Sequence, residues 1–294
     1  MFRLLILSLA VSLVSLSFPA HAQVRTAFPA ERGLSAADFP RLVPLGQGVY
    51  AYEAIRAPGF TTVSLFVVGS NEVLIADGQE SPDATRAMLA AVATVTDKPV
   101  RWMVVGSVHE DHTGGNEALP ADTVLMVHPD GMSEIDSGGR QVKRGPGAIG
   151  EVKSIDLGDR IVEILFLGRA HTASDLLVRV PDQNLVFMSE VFMNRVFPPM
   201  RSAFPREWED TLQRALDLKA DHYIPGHGFV DGPERSRDEM RAFRAAIQYV
   251  RSEARRLDGA SPGDAEADWG EYASWMLADS QGPIALQRLS PLNE

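Results

Sequence analysis

Four histidines sit in short polar clusters that interrupt apolar stretches. His109 and His112 flank Asp111 in Ser107-Val108-His109-Glu110-Asp111-His112-Thr113-Gly114-Gly115. His171 opens His171-Thr172-Ala173-Ser174-Asp175, His227 lies within Pro225-Gly226-His227-Gly228, and Glu190 closes the run Phe187-Met188-Ser189-Glu190. Imidazole and carboxylate are the groups that hold zinc when thiolates are missing, and catalytic sites leave one position to water. The chain has no cysteine, so any metal must rest on histidine, aspartate, glutamate and water. His109, Asp111 and His112 can share one locus only if the backbone turns tightly, which Gly114 and Gly115 are expected to permit. His171, Glu190 and His227 are the candidates to complete the set from distant sequence. Zinc held this way lowers the pKa of its water to about 7 and so supplies hydroxide at neutral pH. His128 and His222 lie near strand ends outside these clusters and are read as ordinary, partly buried residues.

The elements that must position these clusters follow from periodicity. Residues 46–78 read as strands, with Pro-Gly and Ser-Asn turn signals between them and Asn71 at a hairpin turn. Ser81-Pro82-Asp83 is an N-cap, a proline in the first turn and an early acid, so a helix is expected to about residue 95. Residues 101–106 form an apolar strand that delivers the 107–116 cluster at its C-terminal end. The pattern then repeats in outline. A short strand at 123–129 and a Gly-rich charged loop at 133–150 precede three strands, Ile161-Val-Glu-Ile-Leu, Asp175-Leu-Leu-Val-Arg-Val and Leu185-Val-Phe-Met-Ser. The last two are joined by a Pro-Asp-Gln-Asn turn. A helix at 206–219 places Trp208, Leu212, Ala215 and Leu216 on one face. A short strand at 222–225 leads to a longer helix at 233–257 with Met240, Phe243, Ile247 and Val250 inward. Strands and helix in two similar halves predict two sheets packed face to face with helices outside. Tyr272, Trp275 and Met276 suggest a closing helix in the tail.

The first residues have one positive charge, Arg3, then an apolar run broken by Pro19, then Ala20-His21-Ala22. This reads as a cleavable signal peptide over 1–22, cut after Ala22, rather than an anchor, and it predicts a periplasmic or secreted protein. Residues 23–44 are an N-terminal extension, 45–258 the main domain and 259–294 the tail. The net charge of −11 without basic clusters argues against nucleic acid or an anionic membrane as partner and leaves a small-molecule substrate. Nothing in the sequence sets the oligomeric state.

Ser107-Val-His-Glu-Asp-His-Thr-Gly-Gly-Asn resembles the H-x-H-x-D-H-x-G-G-N signature of the metallo-β-lactamase superfamily. Gly168-Arg-Ala-His-Thr-Ala-Ser-Asp, the acid ending Phe-Met-Ser-Glu190 and Ile224-Pro-Gly-His-Gly are similar to its later motifs, in the right order. The likeness covers roughly residues 45–230. It implies an α/β (α+β) fold, the four-layer αββα sandwich, and an exported hydrolase acting through metal-activated water on an ester, lactone, thioester or amide bond, β-lactams included. His109 and His171 would belong to a first metal site; Asp111, His112 and His227 to a second, with Glu190 near both. Asp77 resembles the acid that buttresses the metal loop. The first-site histidine is Ser107 here, and the usual bridging aspartate is Glu190.

A serine hydroxyl is a poor zinc ligand beside imidazole, so the resemblance implies one strong zinc site and a weak or partial second one. The longer Glu190 side chain could compensate. In the mechanism this suggests, zinc on Asp111, His112 and His227 polarises the substrate while His109 or Asp111 orients or deprotonates the attacking water. His109, His171 and Glu190 alternatively form the two-histidine, one-carboxylate set of mononuclear iron oxygenases. A metal-poor, non-catalytic binding or accessory protein on the same scaffold is the reading from a different class. Residues 191–200 are expected to pack in the core and in part to wall the substrate pocket. Residues 56–60 are a hairpin tip by default, and a flap over the site on the sharper reading.

Overall fold

The computed structural model describes residues 24–137, 152–257 and 266–289. The signal-peptide reading, most of the 133–150 loop and the start of the tail lie outside these residues. The first half runs β1 (Arg41–Gly46), β2 (Val49–Arg56), β3 (Phe60–Val68), β4 (Val73–Ala76), α1 (Pro82–Ala93), β5 (Val100–Val104), α2 (Glu110–Thr113), β6 (Val124–Met126) and α3 (Met132–Ser137). The second half contains β7 (Val152–Asp156), β8 (Ile161–Leu165), β9 (Leu177–Val180), β10 (Leu185–Phe187), α4 (Pro205–Asp217), β11 (His222–Ile224), α5 (Pro233–Arg256) and α6 (Ala278–Arg288).

β1 to β6 form one sheet in sequence order, and β11-β10-β9-β8-β7 form a second. Alternation along β3 shows why they stack. Val63, Leu65 and Val67 point into a cluster shared with Val178, Val180 and Phe187 of the other sheet, while Phe66 points outward to Met88 and Val92 of α1. The outer face of the second sheet is covered by α4 and α5 through Trp208, Leu212, Phe243 and Ile247. Helices outside two sheets give the αββα sandwich expected from sequence. Ser81 caps α1 by accepting from the Ala84 N–H, a contact of about 1 kcal/mol. No helix among the described residues is long and apolar enough to cross a membrane.

Two parallel pairings fix where the polar clusters emerge. β4 and β5 run parallel with Ala76 opposite Val104, so Asp77 and Ser107 leave the first sheet at the same edge. β10 and β11 run parallel with Phe187 opposite Ile224, so Glu190 and His227 leave the second sheet together. The remaining pairings, apart from β5 with β6, are antiparallel.

Several expectations change. The first sheet begins at β1, whose residues had been assigned largely to the N-terminal extension. The edge strand β7 was also unanticipated; it exposes Val152 and Asp156 and lacks an apolar run. Residues 133–137, expected as the start of a loop, belong instead to α3. In the tail, Tyr272 sits in a 3₁₀ turn at Gly270–Ser274, and the closing helix starts only at Ala278. Leu277, in left-handed backbone at φ 69°, separates the two. α4 buries Trp208, Leu212 and Ala215 as expected, with Thr211 on the same face and Leu216 only half-buried.

The N-terminal segment is docked rather than loose. Arg32 donates to Asp231 at 2.9 Å with both side chains buried, and Arg25 pairs with Glu239, which also accepts from Arg195 at 2.5 Å. This places the segment directly behind the loop that carries His227.

Candidate metal centre

The His109–Thr113 cluster reaches one locus because α2 is a single helical turn with His109 as its N-cap. The His109 carbonyl accepts from the His112 N–H at 3.0 Å and from Thr113 Oγ1 at 2.9 Å. The expected role of Gly114 and Gly115 needs correction, since neither has positive φ. Their value is close approach. A Cβ on Gly114 would lie 2.1 Å from the Glu80 carbonyl oxygen, and one on Gly115 would lie 2.0 Å from Thr85 Oγ1. On the other side of the pocket, Gly228 has φ 84° and packs against the Asn194 carbonyl, so the turn after His227 requires glycine.

All six predicted ligand residues converge. Asp111, His112, Glu190 and His227 form one group and His109, His171 and Glu190 another, each with its donor atoms within 4.8 Å of one another. Glu190 belongs to both. Its Oε2 is 2.6 Å from His109 Nδ1, while its Oε1 is 3.2 Å from His227 Nε2, 3.5 Å from His171 Nε2 and 3.8 Å from His112 Nε2. Asp111 Oδ2 is 3.1 Å from His227 Nε2 and 3.3 Å from His112 Nε2.

Outer contacts set which nitrogen faces inward. The Thr61 carbonyl can only accept, so His227 Nδ1, 3.0 Å away, carries the proton and Nε2 presents its lone pair to the pocket. His112 Nδ1 lies 3.0 Å from Asp77 Oδ2, which turns its Nε2 inward in the same way. Asp77 also accepts from the Gly106 N–H at 2.6 Å, the Ser107 N–H at 3.3 Å and Ser189 Oγ at 2.5 Å. It thus joins the exit of the first sheet to that of the second, the buttress expected of it. Asp77 and Ser189 both adopt left-handed backbone, at φ 62° and 46°.

Ser107 is fully buried, and its Oγ donates to Glu190 Oε2 at 2.5 Å. The hydroxyl is committed to the carboxylate. It holds Glu190 in place rather than offering a ligand of its own.

The electrostatics favour a cation. Burial alone would raise the Asp111 and Glu190 carboxyls, yet the imidazoles around them hold both well below the usual carboxylate range. Burial would lower His109 and His112, but Glu190 lifts His109 to about 9, and Asp111 with Asp77 lifts His112 well above its ordinary value. His171 is pushed down to about 4 by burial. His112 Nε2 and His227 Nε2 face each other at 3.2 Å, and a metal ion that displaced their protons would meet both nitrogens and the carboxylates around them. The buried His171 Nδ1 has no hydrogen-bond partner. Among the described residues, the donor set therefore fits a divalent metal.

Other contributors escaped sequence reasoning. Asp175 accepts from the Thr172 N–H at 2.7 Å and from Thr172 Oγ1 at 2.6 Å, fixing the turn after His171. Ser202 Oγ lies 3.4 Å from His109 Nε2. Trp208 packs 5.2 Å from the His171 ring and donates to the Val191 carbonyl at 2.8 Å. Residues 191–193, 196–197 and 200 are core, and it is residue 202 that reaches the site. A recess of about 440 Å³ is lined by Arg201, Ile284, Gln287 and Arg288. The 56–60 hairpin does reach over the site: Arg56 pairs with Asp111, and Phe60 meets the His227 ring edge-on at 5.1 Å. His128 stacks on Phe166 and His222 bonds the Asp231 carbonyl at 2.7 Å, so neither joins the centre.

Comparison with known proteins bears on the family and the fold. A sequence profile described as the metallo-beta-lactamase superfamily matches residues 57–227. The linear primary-alkylsulfatase of Pseudomonas sp. (strain ATCC 19151) is 22% identical over 63% of this chain and 45% of its own length. The alpha subunit of 2,4-dinitroanisole O-demethylase from Nocardioides sp. (strain JS1661) is 24% identical over 56% of this chain and 52% of its own. The chain thus spans about half the length of these two relatives. Among solved structures, a metallo-beta-lactamase from Pontibacter korlensis superposes with a TM-score of 0.62 at 18% identity, covering 71% of this chain and 98% of that one. FIM-1 from Pseudomonas aeruginosa, in its mono-zinc form, gives 0.61 at 19% identity over 71% and 94%.

Proposed function

This chain belongs to the metallo-β-lactamase superfamily, and from that premise we propose that it is a zinc-dependent hydrolase of an ester, lactone, thioester or amide bond. The observation that carries the reading is the buried Asp111, His112, Glu190 and His227 set, four donors within 4.8 Å without a thiolate. Asp111, His112 and His227 would hold the stronger zinc, with Glu190 alongside. His109 and His171 with Glu190 would form the weaker site, because the Ser107 hydroxyl is spent on Glu190 Oε2. Zinc bound there supplies Lewis acidity and a water acidified toward neutral pH.

The protein's own groups do the rest. His109 has the most open side chain among those forming the centre, 32% exposed against 11% for Asp111. With Nδ1 turned to Glu190, its Nε2 faces Ser202 and is placed to hold or move a proton at the mouth. Asp111 stands between His112 and His227 and orients a nucleophilic water by accepting its hydrogen bond. Phe60 and Trp208 cover His227 and His171 and keep bulk water from them.

We also propose that residues 1–22 direct export and are removed after Ala22, leaving a periplasmic or secreted enzyme. The test is metal analysis of the mature protein purified without chelator, alongside a panel of nitrocefin, imipenem, lactones and thioesters. The expected result is about one tightly held zinc per chain with turnover of at least one panel member. Less than about 0.2 metal per chain at saturating supply would end the enzyme reading.

A further inference from the structure

Arg56 ends β2 at the tip of the 56–60 hairpin, and its guanidinium is an ion-pair partner of Asp111. Its second acidic neighbour, Glu80, is 3.7 Å away, beyond hydrogen-bonding range. A guanidinium carries five N–H donors in a fixed fork that matches a carboxylate or similar oxyanion. Here Nε is buried and has no hydrogen-bond partner. The side chain is 27% exposed and lies over the Phe60 ring at 5.3 Å, with Phe60 in turn against His227. A cation is thus braced beside the centre, with Nη1 on Asp111 and part of the side chain open to solvent. Across a chain of net charge −11, an anionic substrate would otherwise meet repulsion.

We propose that Arg56 determines specificity, and that the substrate carries an oxyanion, a carboxylate or a group of like shape, beside the bond that is cleaved. This rests on the hydrolase reading above and adds the substrate's charge to it. Charge-assisted pairing of this kind corresponds to about a 10- to 100-fold difference in kcat/KM.

The experiment compares the zinc-loaded wild type with Arg56→Gln and Arg56→Lys on two matched esters, neutral para-nitrophenyl acetate and anionic mono-para-nitrophenyl succinate. Arg56→Gln is expected to lose about 10- to 100-fold more on the anionic ester than on the neutral one, chiefly through KM, and Arg56→Lys to recover part of the loss. Succinate binding by calorimetry, run on the protein as purified, is expected to weaken in Arg56→Gln by a similar factor while zinc per chain stays at the wild-type value. Equal losses on both esters, unchanged succinate binding, or a parallel fall in zinc content would overturn the proposal and leave Arg56 as a support for Asp111. If neither ester is turned over, the succinate titration still decides it. Absence of zinc from the wild type would instead count against the hydrolase reading.

Discussion

Replacing Ser107 by histidine tests the proposed imbalance between the two metal groups. The side chain is fully buried, with Oγ 2.5 Å from Glu190 Oε2, while the backbone N–H at this position is held separately by Asp77 Oδ1 at 3.3 Å. Ser107→His leaves the backbone anchor in place, and a ring N–H can take over the bond to Glu190. The remaining cost is the larger side chain in a closed space, about 1–3 kcal/mol for overpacking. The gain is a third imidazole for the His109, His171 and Glu190 group, which brings it to four donors. Free zinc at 100 times its dissociation constant adds about 2.7 kcal/mol to stability. For a domain of this size 1 kcal/mol moves the melting temperature by about 2–4 °C. The variant should therefore melt about 2–12 °C below wild type in chelator and regain about 5–11 °C when the second zinc binds. Metal analysis should show zinc per chain rising from about one to about two. A variant that folds, keeps one zinc and gains nothing further from excess metal would refute the placement of Ser107 at a ligand position.

Other perturbations separate the parts of the centre. Asp111→Ala removes a donor shared by His112 and His227 and should cut turnover by more than about 100-fold, measured on whichever panel substrate is active; a smaller loss would remove Asp111 from the chemistry. Asp77→Asn changes the group facing His112 Nδ1 and should weaken zinc about 10- to 100-fold in competition with a chromophoric chelator, whereas an effect below about threefold would contradict its buttress role. Arg32→Met leaves the buried Asp231 carboxylate without its guanidinium and should lower unfolding free energy in urea by about 3–5 kcal/mol; a change under about 1 kcal/mol would show the segment's docking to be dispensable.

The ligands were legible because each follows an apolar strand, and strand ends are where a sheet delivers side chains to a common edge. His109, Asp111, His112, His171, Glu190 and His227 all reach that edge. The inward helix faces were legible too, since Trp208 and Leu212, or Phe243 and Ile247, recur at helical spacing. Edge strands were not. β1 contains Pro44 and half-exposed side chains, and β7 exposes most of its length, so neither shows a two-residue alternation of apolar side chains. Contacts across long sequence distance were equally hidden. That Ser107 serves Glu190, that Arg56 reaches Asp111 and that Gly114 abuts Glu80 depend on register between elements, which local residue type does not encode.

The bond from Ser189 Oγ to Asp77 Oδ2 crosses from one sheet's exit to the other's, and the centre divides along the same line. His109, Asp111 and His112 come from the first half of the chain, and His171, Glu190 and His227 from the second. Neither half holds a complete donor set, so cation affinity and the docking of the halves are thermodynamically linked. A substitution deep between the sheets, at Leu65 or Phe187, would therefore loosen the grip on a bound ion without touching it. Conversely, an ion held by Asp111 and Glu190 would work as a reversible cross-link, tightening a sandwich whose two slabs are otherwise joined mainly by apolar packing.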